Sequence, residues 1–176
     1  MIGCGMLGLT AVAYALDLGA STVIACDPEA SRRQLATQLG ASITCQPDEL
    51  SAHVGDDGAD VVLELSGHPR AVQSAIDVVG VGGRVALVGS VSPGPAVTID
   101  PESIVRWLTT ISGSHNYTAA DLHEAISFLA RTSQRDQLAA LVSEPMRLDQ
   151  IDAAIAAARA GAAPRVSIGP AHALGT

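Results

Sequence analysis

Met1-Ile2-Gly3-Cys4-Gly5-Met6-Leu7-Gly8-Leu9-Thr10 opens the chain. Its glycines have Gly-x-Gly-x-x-Gly spacing. An apolar stripe at helical intervals follows, Leu9, Val12, Ala13 and Leu16, closed by Gly19. In a strand–turn–helix unit that binds a dinucleotide, Gly3 would allow the tight turn and Gly5 would let the backbone approach a pyrophosphate. Gly8 would let the helix pack closely on the sheet, and the helix N-terminus would face the phosphates. Gly3, Gly5, Met6, Leu7 and Gly8 are therefore candidate phosphate contacts. The rule also asks for a strand before the turn, and here only Met1 and Ile2 precede it.

Thr22-Val23-Ile24-Ala25-Cys26 is a short, nearly continuous apolar run of buried-strand type. It ends at Asp27, nineteen positions after Gly8. An acidic side chain there can accept hydrogen bonds from both hydroxyls of an adenosine ribose and would repel a 2′-phosphate. Asp27 beside Pro28 is equally a helix N-cap, and the two roles are compatible. The next helix is expected over Pro28–Leu39, with Arg32 and Arg33 in its first half and Gly40 at its end.

Strand and helix keep alternating. Ala41–Thr44 reads as a strand, Asp48–Val54 as a short helix, and Gly55-Asp56-Asp57-Gly58 as a solvated turn. Ala59–Leu65 is a clear strand ending at Ser66-Gly67. A helix follows from near Pro69, with Val72, Ala75, Ile76 and Val79 on one face and Gly80, Gly82 and Gly83 at its end. Arg84–Val88 is another strand, followed by Gly89-Ser90. Beyond it lie a short extended piece at Val97-Thr98-Ile99, a helix from Asp100-Pro101 to Trp107, and a strand at Thr110–Gly113. A helix from the Thr118–Asp121 capping box to Leu129, another over Asp149–Arg159, and a last strand at Arg165–Ile168 complete the pattern. Parallel strands need such crossovers, so the expected fold is α/β, a Rossmann-type doubly wound parallel sheet that lacks its first strand. Ligands bind beyond the carboxyl ends of strands in such sheets, where Gly3–Gly8, Asp27, Ser66, Gly67 and Gly89 would converge.

Composition narrows the function classes. Acidic residues outnumber basic ones 18 to 10, which argues against a phosphate-backbone binder and so against a nucleic-acid partner. Apolar stretches are interrupted before membrane-spanning length, so no membrane partner is expected. Cys4, Cys26 and Cys45 are odd in number and widely spaced, the pattern of reduced thiols in a cytoplasmic protein. His53, His68, His115, His123 and His172 never approach a metal-ligand spacing.

Together these residues resemble the cofactor-binding, C-terminal half of a zinc-type medium-chain alcohol dehydrogenase, over Ile2 to about Ile168. The resemblance is carried by the opening glycines, Asp27 with Arg32 five positions later, Gly40-Ala41, Gly58–Glu64 and Gly82-Gly83-Arg84-Val85. Asp100-Pro101…Trp107-Leu108, Leu148–Ala154 and Gly161…Arg165-Val166 extend it. Gly5–Thr10 and Gly113-Ser114-His115-Asn116-Tyr117 are similar to a subgroup associated with phosphonate catabolism.

The resemblance implies NAD as cofactor and hydride transfer between a small alcohol or aldehyde and NAD. It places Gly3, Gly5 and Gly8 on the pyrophosphate, Asp27 and Arg32 at the ribose, Val88 and Gly89 along the nicotinamide, and Arg165 near the pyrophosphate. It divides the chain into a nucleotide domain, residues 1–146, and a C-terminal helix and strand, residues 147–176, that return toward a catalytic domain. That domain, which holds the family's zinc, lies upstream in the family and is absent here. No catalytic or metal residue is therefore expected in this chain, and zinc only in a full-length member. Two expectations follow from the truncation: the chain is a fragment or starts too far downstream, and both neighbours of the missing strand lose backbone partners. The resemblance also implies a homodimer through Val97–Ile99. A non-catalytic NAD(H)-binding module and an adenosyl-ligand methyltransferase stay open as alternatives.

Overall fold

Apolar runs of three to nine residues punctuated by glycine become parallel strands, and the amphipathic stretches between them become crossover helices. The computed structural model describes residues 1–170, so His172 lies outside the described residues. It divides into two compact units, Met1–Arg131 and a second from Thr132 onward.

In the first unit the order is α1 (Met6–Asp17), β1 (Ile24–Cys26), α2 (Ala30–Gln38), β2 (Ile43–Cys45), α3 (Leu50–Val54), β3 (Ala59–Glu64) and α4 (Pro69–Asp77). β4 (Val79–Leu87), α5 (Pro101–Arg106), β5 (Thr110–Gly113) and α6 (Ala119–Arg131) follow. β1 pairs with β2, β3 with β4 and β4 with β5, all parallel. Ile2 bridges to Cys26 on one side and to Glu64 on the other, again in parallel. The order across the unit is thus β2–β1–Ile2–β3–β4–β5.

That placement narrows the loss expected beside the first strand: Met1–Gly3 bond Ile24, Cys26, Leu63 and Leu65, while Asp60 and Val61 of β3 stay exposed. Met1–Gly3 occupy the central position and supply ladder bonds to both sides. Ile2 N donates to Leu63 O at 2.9 Å, Leu65 N to Ile2 O at 2.8 Å, Cys26 N to Met1 O at 2.8 Å and Gly3 N to Cys26 O at 2.8 Å. Ile2 is 5% exposed and belongs to a core cluster with Cys26, Cys45, Leu50, Val62, Ala75, Val78, Val79 and Val85. α3 and α4 cover that face. Ala25 alternates with Cys26 and so turns to the opposite face. The buried stripe of α1, Leu9, Val12 and Ala13, and Ala36 and Leu39 at α2 lie outside the cluster.

Two further expectations shift. Val79 and Gly80–Gly83 lie inside β4 rather than at the end of α4, because a register shift between Ala59 and Val61 of β3 accommodates extra residues on β4. Val97–Ile99 belongs to no strand of the single chain. Trp107 follows α5 near the amino end of β4, and its carbonyl accepts from Gly82 N at 2.7 Å. α6 begins with the expected capping box. Asp121 accepts from Thr118 N at 2.7 Å and Thr118 Oγ1 at 2.8 Å, which holds its carboxyl below its usual pKa. α6 packs on α1 through an edge-on Tyr14–Phe128 pair, with Arg131 bonded to Asp17 and Glu124.

The second unit contains α7 (Arg135–Ala139), β6 (Met146–Arg147), a 3-10 turn (Leu148–Gln150), α8 (Ile151–Arg159) and β7 (Ile168–Gly169). β6 and β7 are parallel, and Val142 bridges to Arg165. α7 and β6 carried no clear sequence signal.

Ile2→Ala removes the side chain that joins both halves of the sheet, while its backbone bonds remain. Urea denaturation of the variant is expected to show a loss of about 2–5 kcal/mol, the cost of a large-to-small change at a fully packed site.

Candidate functional site

Gly3 is the last residue bonded into the central ladder, and its φ of 96° is the left-handed turn that glycine adopts without strain. A Cβ on Gly3 would lie 2.8 Å from Ser66 N, and one on Gly8 would collide with the Gly3 carbonyl. The loop therefore folds back on its own helix, as the glycine spacing predicts. A Cβ on Gly5 would meet nothing within 4 Å, so the loop is open on that side. Gly5 caps α1 without a side-chain bond, and no acidic residue lies in the first turn. The amides of Gly5, Met6, Leu7 and Gly8 donate to no group among the described residues. Gly5, Met6 and Gly8 are buried or half-buried and Leu7 is exposed. The arrangement is a set of convergent, unpaired donors at the positive end of a twelve-residue helix.

Asp27 lies beside this loop at the carboxyl end of β1. It is 2% exposed, and its carboxylate is already engaged. Oδ2 accepts from Cys4 N at 2.7 Å and Oδ1 from Glu29 N at 2.9 Å. The second bond replaces the expected capping geometry, because α2 starts at Ala30 with Glu29 as its N-cap. Arg32 reaches to 3.8 Å from Oδ2 with a half-exposed side chain. Arg33 donates from one nitrogen to the carbonyls of Asp27 and Pro28, at 2.7 and 2.8 Å.

On the other side of Ile2, Glu64 does for the next loop what Asp27 does for the first. It is fully buried, and Oε1 accepts from Ser66 N at 2.8 Å, Ser66 Oγ at 2.6 Å and Gly67 N at 2.9 Å. Its Oε2 has no partner among the described residues. Its backbone carbonyl accepts from Val88 N and Gly89 N. A Cβ on Gly67 would strike the Gly89 carbonyl, so the two loops touch. The sequence reading named Ser66, Gly67, Val88 and Gly89 but missed Glu64 as their organiser. The signal was available: alternation in Val62-Leu63-Glu64 puts Glu64 on the buried face of Val62.

The first unit thus brings together Gly3, Gly5, Met6, Leu7, Gly8, Asp27, Arg32, Ser66, Gly67, Val88 and Gly89 at the carboxyl edge of one parallel sheet. Arg165 belongs to the second unit. It is exposed, and its backbone bonds Leu141 and Ser143. His115 is exposed in the loop after β5.

The match to the zinc-binding dehydrogenase family profile covers residues 7–131, most of the chain. The chain belongs to this family. L-Threonine 3-dehydrogenase of Bacillus subtilis is 33% identical over 177 residues, an alignment covering 97% of this chain and 50% of that protein. An alcohol dehydrogenase from Thermotoga maritima superposes with a TM-score of 0.89 at 26% identity, over 96% of this chain and 48% of that one. A putative zinc-binding dehydrogenase from Sinorhizobium meliloti, bound to NADP, does so with a TM-score of 0.76 at 27% identity, over 88% and 46%. The chain spans about half the length of the curated relatives it matches.

Although the family is named for zinc, the residues here do not fit that metal. Among the described residues no group of three or more His, Cys, Asp or Glu side chains could hold an ion. Burial, reinforced by Asp27, pushes the Cys4 thiol up to about 12, and burial beside Cys45 pushes Cys26 to about 12. Zinc needs the thiolate, which these sites disfavour.

These pKa values give a pH signature. Each thiol is raised from 9.0 in the fold, so its contribution to stability is complete below about pH 9 and is lost as pH climbs toward 12. At pH 8 a colourimetric disulfide reagent should titrate no fast thiol in the native chain and three after denaturation. A rapid native reaction would contradict the burial.

Proposed function

We propose that this chain is the NAD(H)-binding part of an alcohol dehydrogenase and binds the dinucleotide along the carboxyl edge of the first unit. The observation that carries the reading is the row of unpaired amides at Gly5–Gly8, with the open side of Gly5 above it. Such donors at a helix N-terminus suit a pyrophosphate. Asp27 is placed for the adenosine ribose, and its charge disfavours a 2′-phosphate, with Arg32 beside it. Ser66, Gly67, Val88 and Gly89 form the floor on the nicotinamide side.

When bound, the cofactor supplies a hydride acceptor or donor. The residues of this chain bind and orient it. They hold the phosphates by backbone donors, fix the ribose through a carboxylate and exclude water from the loop floor. Orientation of this kind is a large part of the rate advantage in hydride transfer between two bound reactants. The names of relatives, L-threonine 3-dehydrogenase and alcohol dehydrogenase, support a small alcohol or aldehyde as the substrate of the whole enzyme. A methyltransferase reading has no comparable support, since no relative named above is one.

We assign the protein to the cytoplasm, in keeping with three free buried thiols. No helix among the described residues is long and apolar enough to cross a membrane. We assign the homodimer contact to Val97–Ile99, where Ile99 is 47% exposed and the backbone has no strand partner in the single chain.

NADH titration, followed by nicotinamide fluorescence and melting temperature, should show saturable binding and a raised Tm. Absence of both would remove the reading. Asp27→Ala is expected to erase the preference for NADH over NADPH, and S-adenosylmethionine should not compete with either. Ile99→Lys should shift sedimentation toward the monomer; an unchanged profile would dismiss the Val97–Ile99 contact.

A further inference from the structure

We propose that Arg33 is a positioning residue that sets cofactor selectivity by holding Asp27 in place, an inference that rests on the NAD(H)-binding reading. Every polar atom of Asp27 has a partner, and each carboxylate oxygen keeps a second lone pair. Its amide donates to Cys45 O at 3.2 Å, Oδ1 accepts from Glu29 N, and Oδ2 accepts from Cys4 N. Its carbonyl and that of Pro28 are both taken by Nη1 of Arg33. Arg33 is itself anchored in the first turn of α2, where its amide donates to Glu29 O at 3.1 Å. Guanidinium, Asp27–Pro28 turn and helix start form one ring of bonds. Pro28 has no N–H of its own to stiffen that turn, and a half-buried charged donor provides what the backbone lacks.

The neighbouring arginine is held differently. Arg32 lies 3.8 Å from Asp27 Oδ2, beyond hydrogen-bond distance, with 48% of its side chain exposed. Arg32 can therefore turn toward a 2′-phosphate, whereas Arg33 has its Nη1 committed to two carbonyls. With Arg33 in place, the Asp27 carboxylate stays fixed against the ribose position and the site rejects the extra phosphate. Without it, the turn relaxes, the carboxylate can rotate away, and Arg32 remains to pair with the phosphate. Loss of Arg33 shifts the site from NADH toward NADPH.

The test is the ratio of NADH to NADPH dissociation constants for the whole chain, its Arg33→Met and Arg33→Lys variants, and Arg33→Gln should Arg33→Met not fold. Positioning predicts that Arg33→Met lowers the preference for NADH by about tenfold. Lysine, whose ammonium carries three donors, should restore most of it. Amide exchange at Cys4 and Glu29 should quicken in the methionine variant without cofactor and stay slow in the lysine variant. A purely long-range charge effect gives the opposite sign, because NADPH is the more negative ligand and loses more when a cation is removed. A purely structural effect weakens both ligands alike and leaves the ratio unchanged. Either outcome overturns the inference while leaving NAD(H) binding intact. No NADH binding by the unmodified chain overturns both.

Discussion

The first unit depends on three residues, Met1–Gly3, that are bonded on both sides of Ile2. Ile2 joins β1 to β3, and each half of the sheet is otherwise a separate set of parallel strands. Its amide and carbonyl both bond to β3 and the turn after it, while Met1 and Gly3 bond to β1. The same step sets the height of the glycine loop, because Gly3 leaves the ladder directly into the turn. Sheet continuity and loop position are thus one constraint: any displacement of Ile2 moves the amides at the start of α1.

Two buried carboxylates then shape the carboxyl edge. Asp27 and Glu64 are the buried charged residues among those described, and they flank the Ile2 ladder. Each accepts backbone N–H groups of an adjoining loop, a strong, charge-assisted form of hydrogen bond. Left unpaired, a buried carboxylate would be costly, and left unmade, these loop donors would need water. Rigid loops follow from the bonds that Asp27 and Glu64 Oε1 accept, while the amides of Gly5–Gly8 stay outside the network. The edge is preorganised in its supports and unpaired where a phosphate would lie.

How far this was legible in the sequence differs by residue. The glycine loop, Asp27, Ser66-Gly67 and Gly89 were readable because short-range rules govern them: turn stereochemistry, strand ends and helix starts. The capping box at Thr118–Asp121 and the Asp100-Pro101 helix start were readable for the same reason. Ile2 was not, since two residues carry no periodicity and the strands that fix them lie more than twenty positions away. Gly80–Gly83 read as a helix end because glycine marks both breaks and bulges, and only the pairing of β3 with β4 separates the two. Glu64 was passed over because a charged residue in an apolar run suggests the strand's exposed end. Its burial is stabilised by donors that exist only after the Ser66–Gly67 turn has formed.

The scarcity of aromatic residues has an optical consequence. Trp107 is the one tryptophan in the chain, 45% exposed, and its carbonyl ties the end of α5 to Gly82 in β4. It stands at the amino end of the strands, whereas the glycine loop stands at the carboxyl end. Its emission therefore reports on the far rim of the sheet with no other indole to confuse the signal. Fraying of β4 from β5 can be followed by itself, apart from events at the glycine loop.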